Sequence, residues 1–173
     1  MFFCFTIRAQ HLPLSAPDHE AASMRILKAR PEHLDLLTPL FIRFRESKGE
    51  DTLPDSSRKF LETRLKRNES IIYLALADDE DKLLGFCQLY PSYSSLSLKR
   101  VWLINDLYVA EEARRQLVAD HLLQAVKQMA SETHSVRLRA MCPQGHNSAR
   151  ALYESVGFKD DTRFTTLTLE LDH

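Results

Sequence analysis

The sequence is short of glycine. Of its 173 residues only Gly49, Gly85, Gly145 and Gly157 are glycine, where average usage of roughly 7% would place about 12. A glycine-rich phosphate loop needs several within one short stretch, so the dinucleotide fingerprint and the Walker loop are both excluded. Cysteine is also scarce. Cys4, Cys87 and Cys142 are odd in number, widely spaced and form no C-x-x-C pair, which supports neither a zinc site nor a disulfide framework. They read as reduced thiols in a cytoplasmic protein. His146 follows Cys142 by four residues, but nothing visible activates that thiol. The remaining histidines, His11, His19, His33, His121, His134 and His173, lack ligand spacing, so no metal site is expected. No apolar run approaches the roughly 18 residues of a membrane span, and no membrane partner is expected. A surplus of one charge is missing too. With 23 Lys+Arg against 24 Asp+Glu, the chain offers no electrostatic case for binding nucleic acid.

What is present suffices for a folded domain. The chain is 44% hydrophobic and 27% charged, and its length suits one domain. Residues 1–23 carry Pro13, Pro17 and several Ala and Ser without a clear period, and read as an N-terminal extension. A cleaner pattern starts at Met24, a candidate start of translation, so the domain is expected over 24–173. Arg25 to Ala29 reads as a strand. Pro31-Glu32 opens a helix carrying Leu34, Leu37, Leu40, Phe41 and Phe44 at helical spacing. A polar loop follows, then a second helix capped by Asp55 or Ser56, with Phe60, Leu61 and Leu65 as its apolar positions. The period then changes. Ile71–Ala77 and Leu83–Tyr90 form a hairpin, and Arg100–Val109 is a third strand. Trp102 and Tyr108 fall on one face of it with Ile104 and Asp106. A long helix follows, with Glu111 and Glu112 at its start and a stripe of Val118, Leu122, Ala125 and Met129. Ser135–Met141 is a strand and 147–156 a short helix with Gly157 as its stop. Phe158–Leu171, where Thr165, Leu167, Leu169 and Leu171 alternate with Thr166, Thr168 and Glu170, predicts one or two last strands. The order is β-α-α-β-β-β-α-β-α-β-β, an α/β (α+β) class with a mixed sheet.

The stretch from Asn105 to Ala119 is a strand, a tight basic turn and a helix. Such a turn aims unpaired helix N–H groups and Arg114 and Arg115 at one point, which suits an anion; a solvated basic turn fits the spacing equally well. Here the sequence resembles the GNAT (GCN5-related N-acetyltransferase) superfamily. In that family the turn reads Arg/Gln-x-x-Gly-x-Gly/Ala, and this chain has Arg114-x-x-Leu117-x-Ala119. His146-Asn147-Ser148-Ala149-Arg150-Ala151-Leu152-Tyr153, ending at Gly157-Phe158, resembles the family's Asn-x-x-Ala-x-x-Leu-Tyr-x-x-x-Gly-Phe. The resemblance covers about residues 24–171.

It implies a mostly antiparallel twisted sheet flanked by helices and an N-acetyltransferase that moves the acetyl group of acetyl-CoA directly to a primary amine of a small molecule or peptide. It assigns the cofactor to Leu107, Tyr108 and Val109 on the strand, to Arg114, Arg115, Gln116, Leu117, Val118 and Ala119 in the turn, and to Asn147. Tyr153 becomes the acid for the leaving thiolate. Asp106 is the nearest carboxylate for a base, beside a water chain to solvent. Loops 45–55 and 91–99 would meet the acceptor, and family members are often homodimers. Two positions depart from the pattern: Leu117 stands at the loop glycine and His146 at the motif asparagine. They keep a second reading open, a GNAT-fold binding or regulatory protein without turnover.

Overall fold

The computed structural model describes residues 24–78 and 82–171, and the extension expected over 1–23 lies outside them. Nine main elements follow in order: β1 (Met24–Lys28), α1 (Leu34–Glu46), α2 (Pro54–Lys66), β2 (Ile71–Ala77), β3 (Leu83–Ser94), β4 (Lys99–Val109), α3 (Val118–Glu132), β5 (Arg137–Ala140) and α4 (Asn147–Val156). They build one mixed sheet in the order β1-β2-β3-β4-β5. The first three pairings are antiparallel, and β4 pairs with β5 in parallel across the α3 crossover. The fold class is the one expected.

Helices cover both faces of the sheet. On one face Phe41 and Phe44 of α1 meet Phe86 of β3 and Tyr108 of β4, with ring centroids 5.7–6.2 Å apart. Phe60 of α2 stacks on Phe41 at 5.9 Å. On the other face α3 buries Val118, Leu122, Leu123 and Val126 completely, the stripe that its helical period encodes. Gly85 on β3 shows how tightly that face is packed. A Cβ there would lie 2.8 Å from the Tyr108 carbonyl oxygen and 3.1 Å from Val118 Cγ1.

The key irregularity lies between β3 and β4. Gln88 faces Asp106 and Leu89 faces Ile104, which leaves Asn105 without a partner. This bulge inserts one residue and switches the side-chain alternation beyond it. Trp102, before the bulge, donates from its indole to Thr133 at the end of α3 at 3.1 Å. Tyr108, after it, packs on Phe44 and Phe86 of the opposite layer. Trp102 and Tyr108 therefore do not share a face. The expectation failed because strict period-two counting has no place for an extra residue.

Other local expectations also changed. The second helix starts at Pro54, with Leu53 rather than Asp55 or Ser56 before it. Glu111 and Glu112 belong to a separate 3-10 turn, and the long helix starts at Val118. The strands expected over Phe158–Leu171 do not form. Alternation tells which face each side chain takes, but a strand also needs an edge to bond to. Among the described residues, the backbone from 159 to 171 makes no backbone–backbone hydrogen bond.

Gly85→Ala is expected to destabilise the fold by about 1–3 kcal/mol through overpacking against Tyr108 and α3. A lower urea midpoint at unchanged slope is the measurement that checks it.

Candidate active site

The turn between β4 and α3 is built from backbone conformations that L-residues rarely take. Arg115 has φ +65° and Leu117 φ +59°. Leu117 holds the position just before α3, in the left-handed region. Glycine takes this conformation freely, whereas a side chain costs about 1–2 kcal/mol there. Leu117 takes it nonetheless and leaves its side chain 62% exposed. The N–H groups from Arg115 to Asp120 have no acceptor among the described residues, and the next amide, His121, bonds back to the Leu117 carbonyl at 3.0 Å. Six consecutive free donors at a helix N-terminus make a site for an anion of phosphate type. Arg115 adds a guanidinium, while Arg114 reaches Glu111 at 3.4 Å.

A clasp anchors this turn to the opposite layer. Arg43 of α1 donates through Nη1 and Nη2 to the two carboxylate oxygens of Glu112, at 3.0 and 2.8 Å. That bidentate bond holds the Glu112 carboxyl down to about 2, and the same bond raises the Arg43 guanidinium further above its already high value. Gln116 then donates to the Glu112 carbonyl oxygen at 3.2 Å.

Next to the turn, β4 runs past the end of β5. Val101 to Ile104 pair with Arg137 to Ala140, and among the described residues no strand pairs with β4 on that side from Asn105 onward. Leu107, Tyr108 and Val109 thus keep one side of their backbone free of a strand, as binding of an extended cofactor arm requires. The splay begins at the bulge. There the Asn105 amide nitrogen donates to both carboxylate oxygens of Asp106 at 3.1 Å. Burial nevertheless pushes the Asp106 carboxyl above its usual range, against the opposing pull of that amide and of Lys48.

Tyr153 enters from α4. Its ring meets Phe158 edge-on at 5.2 Å. Burial, with the nearby Cys87, Cys142 and Asp106, pushes its hydroxyl up to about 12. Asp106 and Tyr153 lie 47 residues apart in sequence, yet the Asp106 carboxyl bears on the Tyr153 hydroxyl. Cys87 sits buried beside them, its thiol raised by burial and by Asp106.

Helix α4 is capped by His146, not Asn147. The Ala149 amide donates to His146 Nδ1 at 3.3 Å, and Asn147 is the exposed first residue of the helix. An imidazole nitrogen can accept as an asparagine oxygen does, so the residue at the motif asparagine still does the capping. Gly157 ends the helix at φ +105°, as expected. The acids of loop 45–55 are partly engaged at home. Arg45 reaches Glu50 at 3.7 Å, and Thr52 donates to Glu46 at 2.5 Å.

Sequence reasoning missed Arg43 and Glu112. One lies on an amphipathic helix and the other in a turn, 69 positions apart, and no spacing rule connects them. The bulge at Asn105 was missed as well, since it carries no glycine or proline to mark it.

A family model for the acetyltransferase (GNAT) family matches residues 34–158. The chain belongs to the GNAT family. It is an acetyltransferase, and its relatives are consistent with that. An uncharacterized N-acetyltransferase of Bacillus subtilis (strain 168), YhfO, is 33% identical over 148 residues, which cover 86% of this chain and 98% of that one. A probable acetyltransferase of Haemophilus influenzae is 36% identical over 136 residues, 79% of this chain and 90% of its own length. A crystal structure of a probable acetyltransferase superposes with a TM-score of 0.83 at 64% identity, covering 86% of this chain and 99% of that one. A more distant GNAT fold from Clostridium acetobutylicum, 17% identical with a TM-score of 0.68 over 84% of this chain and 96% of its own, was solved with acetyl-CoA.

At Leu117 the chain thus carries a side chain on left-handed backbone, with the strain that this entails. Leu117→Gly is expected to raise stability by up to about 1 kcal/mol, the relief of left-handed strain less the entropy of glycine. Leu117→Val, a β-branched residue at positive φ, should lower it by about 1 kcal/mol or more. Urea midpoints of the two variants against the parent chain decide the matter.

Proposed function

We propose that this acetyltransferase transfers the acetyl group of acetyl-CoA to a primary amine of a small molecule or peptide by direct attack, working as a cytoplasmic homodimer. The row of free N–H groups from Arg115 to Asp120 carries the reading. Its charge and donor geometry suit a pyrophosphate, and the residues present fit the cofactor: donors in the turn for the phosphates, an open strand edge at Leu107–Val109 for the extended arm, and a phenol beyond it. Asn147, exposed at the start of α4, lines a cleft that also reaches Asn105. Two free cysteines, Cys87 and Cys142, fit a reducing compartment.

Acetyl-CoA, when bound, supplies an activated thioester. The chain's own groups handle charge and protons around it. Backbone N–H groups on the free edge of β4 polarise the thioester carbonyl in the manner of an oxyanion hole. An amine arrives mostly protonated near pH 7 and must lose a proton before it attacks. Asp106 accepts that proton: burial raises its carboxyl pKa and so makes it a stronger base than an ordinary aspartate. Tyr153 keeps its own proton at every working pH, and stands as the donor toward the departing sulfur.

The pH dependence follows from these directions. Activity requires ionised Asp106, so kcat/KM falls as pH drops through a value above the usual aspartate range. Tyr153 contributes no alkaline limb until about pH 12. Asp106→Asn should abolish the acidic limb and lower kcat by about 10²-fold or more, while Tyr153→Phe should lower kcat by a similar factor with the KM for acetyl-CoA nearly unchanged. Release of free thiol over a panel of amines, with calorimetry for acetyl-CoA, supplies the measurements. Failure to bind acetyl-CoA at millimolar concentration overturns the reading, and full activity in Tyr153→Phe removes the tyrosine from its role.

A further inference from the structure

A second, smaller cavity of about 210 Å³ lies between α1 and α2. Phe41 and Arg45 line it from α1, Ser56, Ser57 and Phe60 from α2, and Leu53 from the position before α2. Its apolar walls include Phe41 and Phe60, whose rings are stacked with planes 13° apart. Its polar lining is unlike that of an ordinary seam between helices. Ser57 is 4% exposed, and its hydroxyl oxygen is buried with no hydrogen-bond partner. The Nε of Arg45 is buried and unpartnered too. That guanidinium meets the loop through Nη2, at 3.4 Å from the Asp51 carbonyl oxygen and 3.7 Å from the exposed Glu50 carboxylate. The start of α2 carries no side-chain cap, and the Asp55 and Ser56 amides have no acceptor among the described residues.

Buried polar atoms are nearly always paired, and an unpaired one costs free energy. Two on facing helices, lining one cavity, call for a ligand that accepts from both. None of the six lining residues is an acid, and one is a cation. The ligand group that fits is therefore an anion, and a flat one suits the planar fork of arginine. An apolar cavity of about 150 Å³ takes a benzene ring, so this one has room for a ring with a carboxylate on it. The ring lies against Phe41, Phe60 and Leu53, and the carboxylate meets Arg45 and Ser57.

The cavity is on the Asp106 side of the sheet. Phe41 packs on Phe86, and Phe86 on Tyr108. Asp106 lies two residues before Tyr108 and past the bulge, so it shares that face. Lys48, three residues after Arg45, lies 5.9 Å from the Phe44 ring and bears on the Asp106 carboxyl.

We infer that the cavity between α1 and α2 is a carboxylate site, which takes the acid end of a small molecule with an aromatic or branched apolar body. That chemistry has two sources, the amine acceptor itself or a separate acid bound beside it. In the first case the inference rests on the acetyl transfer proposed above and narrows its acceptor to an amino acid.

Calorimetry on the full chain with phenylacetate, without acetyl-CoA, tests the site apart from the chemistry. Phenylacetate is expected to bind with Kd of about 1 mM or tighter, and the neutral phenylacetamide at least about 10-fold more weakly. Arg45→Met and Ser57→Ala should each weaken phenylacetate about 10-fold or more. Ser57→Ala should do so with no fall in urea midpoint, since its hydroxyl bonds nothing in the protein; a merely structural serine would show the reverse. Equal binding of acid and amide, or parental affinity in both variants, overturns the site even if acetyl transfer proceeds. Thiol release then separates the sources. Phenylacetate that competes with the amine assigns the cavity to the acceptor, and phenylacetate that binds without competing overturns that assignment and leaves a site for a separate acid.

Discussion

Asn105 has no partner on β3, and β3 and β4 resume their pairing one residue later. From that unpaired residue three things follow. The alternation of β4 switches, so that Trp102 faces the end of α3 while Tyr108 joins the aromatic layer. The strand leaves β5 at the same point, which opens the splay. Asp106 is brought to a partly buried place beside the opening, with the Asn105 amide on both of its oxygens. A regular ladder through this point would keep β4 and β5 side by side and leave no room between them. Bulges are common next to active sites for this reason.

Much of the molecule was legible in the order of its residues. The helical stripes of α1 and α3 and the apolar run of β2 gave their elements directly, because burial on one face leaves a period that counting detects. The motif that singles out Tyr153 does fall on a helix, α4, where the tyrosine ring meets Phe158. What counting missed has a different physical origin. The bulge is a property of two strands together, not of one. The Arg43–Glu112 clasp joins residues that only the folded chain brings together. The strands expected at the C-terminus carry a sound alternation, but a strand is defined by its neighbour, and the neighbour is not encoded in the segment itself.

The turn at Arg114–Leu117 shows how a family pattern survives the loss of its marker residue. Glycine in such a turn serves two purposes, a left-handed backbone and close approach of a ligand. Leu117 meets the first at the cost of strain, and its side chain stands largely in solvent. The clasp from α1 holds the segment leading into this turn, with Gln116 tied to the same glutamate. An exposed ion pair adds little to overall stability, and its use here is to fix one piece of backbone against another.

Leu117 is not alone. Asn68, Leu98, Arg115 and His134 also hold left-handed backbone that glycine would occupy without strain. A side chain at these places narrows the range of shapes open to the unfolded chain, so less disorder is lost when the protein folds. That gain is entropic and grows in proportion to absolute temperature, while the strain of each turn is nearly constant. A sequence poor in glycine therefore holds its turns by a balance that shifts in favour of the folded state as the solution warms, up to the temperature at which the disorder of the whole chain prevails.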